Sequence, residues 1–214
     1  GGGLAGCTAA LELARSNINV IIVEKLAAIG GKVRSYGCKA TDRCNRCGLC
    51  LVGDLWRQVE EHENIKILTQ ARVIDIMGSR GAFTVVVKSA GRIDNISGIS
   101  DIVVAAGFDE FAVLSAGGLE YEAAEHIITG SYLEQLLADR GKNEIFSDPP
   151  ASVGFIQCFG SRDIQEKAAY CSRVCCGYSV RAAKVLREYY PDLKITFFYM
   201  DLQELEGQDC FDAL

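Results

Sequence analysis

Cys158, Cys171, Cys175 and Cys176 constrain this chain more than any other feature. Ser152-Val-Gly-Phe-Ile-Gln157 precedes them and reads as an apolar strand. A 3.6-residue pattern predicts a helix from Cys171 to Tyr190, with Val174, Tyr178, Ala182, Val185, Leu186 and Tyr189 on one face. Pro191-Asp192 ends that helix, and Lys194-Ile-Thr-Phe-Phe-Tyr199 reads as a second strand. Strand, helix and strand in this order close as a right-handed β-α-β unit with parallel strands. In a dinucleotide-binding fold the corner between the first strand and the helix holds glycines and a pyrophosphate. Here the corner carries four thiols at intervals of 13, 4 and 1 residues. Packing alone does not gather four cysteines at a strand end and a helix start. Thiolate ligation of a metal or cluster does.

The chain opens with a second such corner in its ordinary form. Gly1-Gly-Gly3-Leu-Ala5-Gly6 has the spacing G-x-G-x-x-G, Cys7 to Arg15 continues as helix, and Val20-Ile-Ile-Val23 reads as strand. Glu24 closes that strand 18 residues after Gly6. Glycines let the backbone approach a pyrophosphate at the helix N-terminus, and the acid accepts hydrogen bonds from the adenosine ribose. Lys25 follows, then Gly30-Gly31-Lys32. This Glu-Lys-x-x-x-x-Gly-Gly-Lys arrangement resembles the flavoproteins with two dinucleotide-binding domains, where the glycine pair approaches FAD. No strand precedes Gly1 and the sequence stops soon after a strand pattern, so a fragment lacking the first strand is expected.

Cys38, Cys44, Cys47 and Cys50 form a second cysteine group. C-x-x-C-x-x-C with one more cysteine nearby suits a cubane cluster. Structural zinc and a redox thiol site are the alternatives that thiolate chemistry leaves open. Lys39, Arg43 and Arg46 are placed to offset thiolate charge. Cys7 is expected as a small buried filler, and Cys210 has no assigned role.

Between the cysteine groups the pattern predicts a helix over 54–62 with Leu55, Trp56 and Val59 inward, and a strand at 65–69. Antiparallel strands follow at 72–76 and 83–88, joined by a turn at Gly78–Gly81. Asp101-Ile-Val-Val-Ala-Ala106-Gly107 reads as a buried strand ending in glycine. Ser131 to Arg140 is an amphipathic helix, and Asp148-Pro-Pro150 marks a junction. The expected fold is therefore α/β: an FAD-binding Rossmann-like domain over 1–150 with a cysteine-rich insertion at 38–50, then the start of a second Rossmann-like half-domain over 151–214.

Composition narrows the function. The net charge of −6 argues against a nucleic-acid partner. No apolar run reaches the ~18 residues of a membrane span, and no signal peptide is evident. Ten cysteines in clusters, beside long helix and strand patterns, do not suit a small secreted disulfide scaffold. His62 and His126 have acidic neighbours and no partners for acid–base catalysis, so no catalytic residue is assigned.

The segments Phe-Ile-Gln-Cys158-Phe-Gly-Ser-Arg-Asp163, Tyr-Cys171-Ser-Arg-Val-Cys175-Cys176 and Phe-Phe-Tyr-Met-Asp201 closely resemble the heterodisulfide reductase A-subunit family, including its bacterial homologues. The resemblance covers nearly the whole chain. It implies a thioredoxin reductase-like domain with FAD held by Gly1, Gly3, Ala5, Gly6, Glu24, Lys25, Gly30, Gly31 and Lys32. Val73, Ala106 and Gly107 offer further backbone contacts, with Ala106 replacing the family's usual threonine. It implies a [4Fe-4S] cluster on Cys158, Cys171, Cys175 and Cys176, and a second is possible on Cys38, Cys44, Cys47 and Cys50. The dense group at 38–50 suggests a bacterial relative.

The implied function is electron transfer by FAD and iron–sulfur in a heterodisulfide reductase-like complex, with electron bifurcation as a possible extension. The implied partners are the other heterodisulfide reductase-like subunits and a hydrogenase or dehydrogenase donor module, and the implied compartment is the cytoplasm. The alternative is a pyridine-nucleotide-dependent flavoprotein disulfide reductase. That alternative needs a second G-x-G-x-x-G/A, and the 158–163 corner lacks one.

Overall fold

The computed structural model describes residues 1–108, 126–139, 145–165 and 167–203. They form two compact units: Gly1–Arg34 with Gly48–Phe108, and Ser35–Cys47 with the described part of Asp109–Leu214. Cys210 lies outside the described residues, as does Arg140 at the end of its expected helix.

In the first unit α1 (Leu4–Arg15) opens directly from the glycines. It packs with α2 (Val52–Glu61) on a parallel pair, β1 (Val20–Val23) and β2 (Ile65–Leu68), in register Val20 to Ile65 through Val23 to Leu68. The core here is Cys7, Ala10, Leu11, Ala14, Ile22, Ile29, Val59 and Ile65, with Leu55 and Trp56 against it. Alanines along α1 let the helix lie close to the strands. A three-stranded antiparallel sheet follows: β3 (Ala71–Met77), β4 (Phe83–Ser89) and β5 (Arg92–Ile99). The glycine turn between β3 and β4 stands as expected, with Gly78 and Gly81 at φ +90° and +91°.

Two features of this unit differ from expectation. β5 is not evident in the sequence, because Arg-Ile-Asp-Asn-Ile-Ser-Gly-Ile is poor in strand formers and mostly exposed. Its pairing with β4 makes it a strand. The run 101–107 is not a buried strand. It has no ladder partner among the described residues, and Val103 and Val104 are 60% and 86% exposed. An apolar strand needs both faces covered and a neighbour for its backbone groups. Among the described residues the only strand hydrogen-bonded to β1 is β2.

In the second unit α3 (Gly130–Asp139) and α4 (Cys175–Tyr189) pack with the parallel pair β6 (Ser152–Ile156) and β7 (Lys194–Phe198). Leu133, Leu137, Ile145, Ala182, Val185, Leu186 and Leu193 make the core, and Val153, Phe155 and Ile195 lean on it. Leu137 is 1% exposed, so truncating it to alanine is expected to cost about 2–5 kcal/mol. The β-α-β order is as expected, but the helix begins at Cys175 rather than Cys171. Arg173 sits at φ +60° and its N–H donates to Cys171 Sγ at 3.3 Å. That local sulfur turn competes with helix over 171–174. Val174 and Tyr189 are accordingly exposed, while Cys176, Val180 and Ala183 join the buried face.

Candidate functional site

The first unit builds a nucleotide cradle from backbone. A Cβ on Gly6 would lie 1.9 Å from the Gly1 carbonyl oxygen, and one on Gly1 would lie 2.3 Å from the Ala105 carbonyl oxygen. The turn and the 101–108 segment therefore press together, and no side chain fits between them. Above Gly3 a Cβ would meet nothing within 4 Å. Gly3 caps α1 with no side-chain hydrogen bond, and the first turn carries no acid. Open space at an uncapped, positive helix end suits a phosphate.

The second glycine pair closes on the first. Gly30 N–H donates to the Gly2 carbonyl at 2.6 Å, and a Cβ on Gly31 would stand 3.0 Å from Gly3 Cα. The indole N–H of Trp56 is buried without a partner, and its ring lies 2.9 Å from where a Gly30 Cβ would be. Glu24 is 4% exposed; Oε2 accepts the Gly2 N–H at 2.6 Å and Oε1 the Leu26 N–H at 2.8 Å. A carboxylate offers about four acceptor positions, and these two bonds use half of them.

Ala71 N–H donates to the Glu24 carbonyl at 2.9 Å, which ties the start of β3, and so the Val73 backbone, beside the acid. Lys32 lies 4.6 Å over the Phe108 ring, next to Ala106 and Gly107 in the chain. Lys25 is exposed. Cys7 is fully buried, its thiol donates to the Gly2 carbonyl at 3.2 Å, and burial, then the Glu24 charge, pushes its pKa up to about 11. It is a neutral filler under the turn, as expected. The cradle fits a dinucleotide such as FAD.

The second unit builds its corner from side chains. After β6 the chain folds back on itself: Arg162 N–H donates to the Tyr170 carbonyl at 3.1 Å, and Asp163 bridges Ala168. This hairpin returns Cys171 towards Cys158. Cys158, Arg162 and Arg173 all take positive φ, and Gly160 does too. Cys175 and Cys176 form the first turn of α4, whose N-cap Val174 gives no side-chain bond. Ser172 Oγ and Cys175 Sγ are 3.2 Å apart. Arg162 is ion-paired with Asp201 and reaches Cys158 as well, which raises the guanidinium pKa, Asp201 contributing most.

Burial raises the Cys176 thiol above its ordinary range. A backbone hydrogen bond with Gln203 opposes this in part, and the charges of Cys175, Cys158 and Cys171 add to it. The four sulfurs thus share one electrostatic neighbourhood. Among the described residues no three His, Cys, Asp or Glu side chains close around a single metal ion. Four thiols beside a hairpin and a helix N-terminus are a donor set of the kind that iron–sulfur clusters and other thiolate metal sites use.

The first cysteine group belongs, as far as Cys47, to this second unit. Cys38, Cys44, Cys47 and Cys50 are all exposed free thiols. Lys39 does not offset their charge as expected. It is 4% exposed and paired at 2.5 Å with Glu134, itself 3% exposed. Neither Glu134 nor this pairing is visible in the sequence, where the two lie 95 residues apart.

Comparison with known proteins bears on both corners. Residues 1–60 match the NAD(P)-binding Rossmann-like domain family. Over 95% of its length the chain is 28% identical to the A subunit of the ferredoxin/F(420)H(2)-dependent CoB-CoM heterodisulfide reductase of Methanosarcina acetivorans, spanning 36% of that protein. It is also 28% identical to an iron–sulfur A subunit of the CoB-CoM heterodisulfide reductase of Methanopyrus kandleri, spanning 43% of it. The chain is a relative of the heterodisulfide reductase A subunits. It spans well under half the length of these relatives, and the match to the first runs over 285 positions, more than the chain's 214 residues. That relative therefore carries residues within the matched region that this chain lacks. Among solved structures, L-proline dehydrogenase from P. horikoshii superposes with a TM-score of 0.54 at 19% identity, over 96% of this chain and 36% of that one. At that identity it supports the Rossmann-like fold alone. No helix among the described residues is long and apolar enough to cross a membrane.

Proposed function

We propose that this chain is the FAD- and [4Fe-4S]-bearing electron-transfer part of a heterodisulfide reductase-like oxidoreductase. The observation that carries the reading is the pairing of an open glycine cradle in one unit with a four-thiol corner in the other, where a sibling fold would hold a second nucleotide. The flavin, when bound, supplies the exchange between two-electron and one-electron chemistry, and the cluster supplies one-electron transfer.

The residues of the chain do the holding. Gly1, Gly3, Ala5 and Gly6 keep side chains clear of the pyrophosphate. Gly30, Gly31 and Lys32 close the second edge, and Lys25 adds positive charge nearby. Glu24 orients the ribose, while Val73, Ala106 and Gly107 present backbone. Cys158, Cys171, Cys175 and Cys176 ligate the cluster, and the α4 N-terminus favours their anionic form. Cys38, Cys44, Cys47 and Cys50 are assigned to a second thiolate metal site.

The relatives' names place them in heterodisulfide reductase complexes. By extension the partners here are the other subunits of such a complex and a hydrogenase or dehydrogenase donor module. Bifurcation belongs to this reading as its most specific form. The thiol content and oxygen-sensitive ligation suit a reducing cytoplasm. Replacing Glu24 with Gln in the intact complex tests the electron path: flavin occupancy and electron transfer should fall together. Full transfer without flavin would overturn the reading.

A further inference from the structure

The segment 35–47 leaves the glycine pair and joins the unit of α3 and α4, yet from Tyr36 to Cys47 it has no helix or strand to hold it. It is held by side chains instead. Lys39 Nζ donates to Glu134 Oε2 at 2.5 Å and to the Gly37 carbonyl at 2.7 Å, and Gly37 N–H donates to the same Glu134 oxygen at 3.3 Å. Asn45 Nδ2 donates to the Lys39 carbonyl at 2.6 Å, and Arg181 Nε of α4 donates to the Asn45 carbonyl at 3.2 Å. The loop lies directly on α3, because a Cβ on Gly37 would sit 2.6 Å from the backbone of Leu137 and Ala138.

Stability alone does not call for such an arrangement. Glu134 is flanked along α3 by Leu133 and Leu137, both in the apolar core. Well-packed apolar residues in place of a buried ion pair are often neutral or stabilising. What an ion pair adds is a fixed register, since a slip by one residue leaves two buried charges unpaired. The residue fixed here is the neighbour of Cys38.

The sulfurs of this loop carry the same local device as the second group. Cys38 Sγ accepts the Ala40 N–H at 3.4 Å and Cys44 Sγ accepts the Arg46 N–H at 3.4 Å, with Arg46 at φ +48°. At Cys171 the Arg173 N–H does the same with φ +60°. Backbone N–H groups aimed at sulfur fix the direction in which each thiol is presented.

We infer that Lys39 and Glu134 are positioning residues whose buried ion pair mounts Cys38, Cys44 and Cys47, as a thiolate metal site, on the compact unit that carries Cys158, Cys171, Cys175 and Cys176. The inference rests on the proposed reading for the nature of the metal, but not for its presence. Both cysteine groups then ride on one body, and metal bound at the first group depends on α3 and α4 rather than on the flavin cradle.

The test uses the full-length protein purified without oxygen, with iron, zinc and flavin measured per chain. C44S/C47S defines what the first group holds. K39M/E134M should fall to the metal content of C44S/C47S while keeping its flavin, its thermal transition and the reduced-state electron paramagnetic resonance signal that C175S/C176S abolishes. N45A disturbs no buried charge and should release first-group metal to a chelator about tenfold faster or more. A K39M/E134M protein that keeps wild-type metal overturns the inference. If that double variant does not fold, wild-type release from N45A overturns it. Equal metal in C44S/C47S and wild type also overturns it, and leaves the cluster at 158–176 standing. Loss of nothing in C175S/C176S would instead overturn the proposed function and leave this site in place.

Discussion

At the first corner the chain passes from Gly1 to α1 in three residues, and the backbone is so tight that a single methyl on Gly6 would stand 1.9 Å from a carbonyl oxygen. At the second corner the chain takes from Gln157 to Val174 to reach α4, and its left-handed positions are Cys158, Arg162, Lys167 and Arg173 as well as Gly160. The difference follows from which atoms face the ligand. A pyrophosphate is held by backbone N–H groups, so side chains must be absent. A cluster is held by sulfurs, so side chains must be present and the backbone must stand back. The strain of a left-handed non-glycine residue, about 1 kcal/mol or more each, is then accepted at four positions.

The largest test of this contrast is Gly6→Val at the first corner. It should abolish tight flavin binding, raising the Kd by about 100-fold or more in a fluorescence titration, which corresponds to about 3 kcal/mol. Wild-type affinity would mean the cradle is not where the dinucleotide binds. At the second corner, Cys175→Ser/Cys176→Ser should remove the cluster at 158–176 while leaving flavin affinity unchanged. Iron and flavin lost together would break the division of labour between the corners.

Much of this is legible in the sequence, and what is not has physical causes. α1, β1, α2 and β2 follow from local periodicity and fall within three residues of expectation. The four-thiol corner is readable because cysteines at a strand end and a helix start have no packing reason to be there. The start of α4 lies four residues later than its periodicity predicts, because a sulfur turn at Cys171 overrides helical propensity. The 101–107 run is strand-like in composition, but strand formation depends on a neighbour that local sequence does not reveal. The Lys39–Glu134 pair is invisible for the same reason: its partners meet only through tertiary structure.

Smaller effects sharpen the comparison. Cys7 under the first corner has its pKa raised from 9.0 to about 11, so the folded chain holds this proton more tightly than the unfolded one. Its contribution to stability is complete below pH 9 and is lost as pH rises to about 11. At about 1.4 kcal/mol per pKa unit, roughly 3 kcal/mol is at stake. Denaturant melts across that window should flatten in Cys7→Ala. An unchanged alkaline slope would show that Cys7 does not govern it. At the second corner Arg162→Met, which removes a positive charge beside Cys158, should lower the cluster's reduction potential without releasing iron. A potential that stays put would place Arg162 outside the cluster's influence.

The most direct measurement is the flavin and iron content of the full-length protein, purified without oxygen. Bound FAD together with at least about four irons per chain is the expected result. Flavin with far less iron, and rapid reduction of that flavin by NADH or NADPH alone, would contradict the cluster assignment and identify a thiol-based flavoprotein reductase.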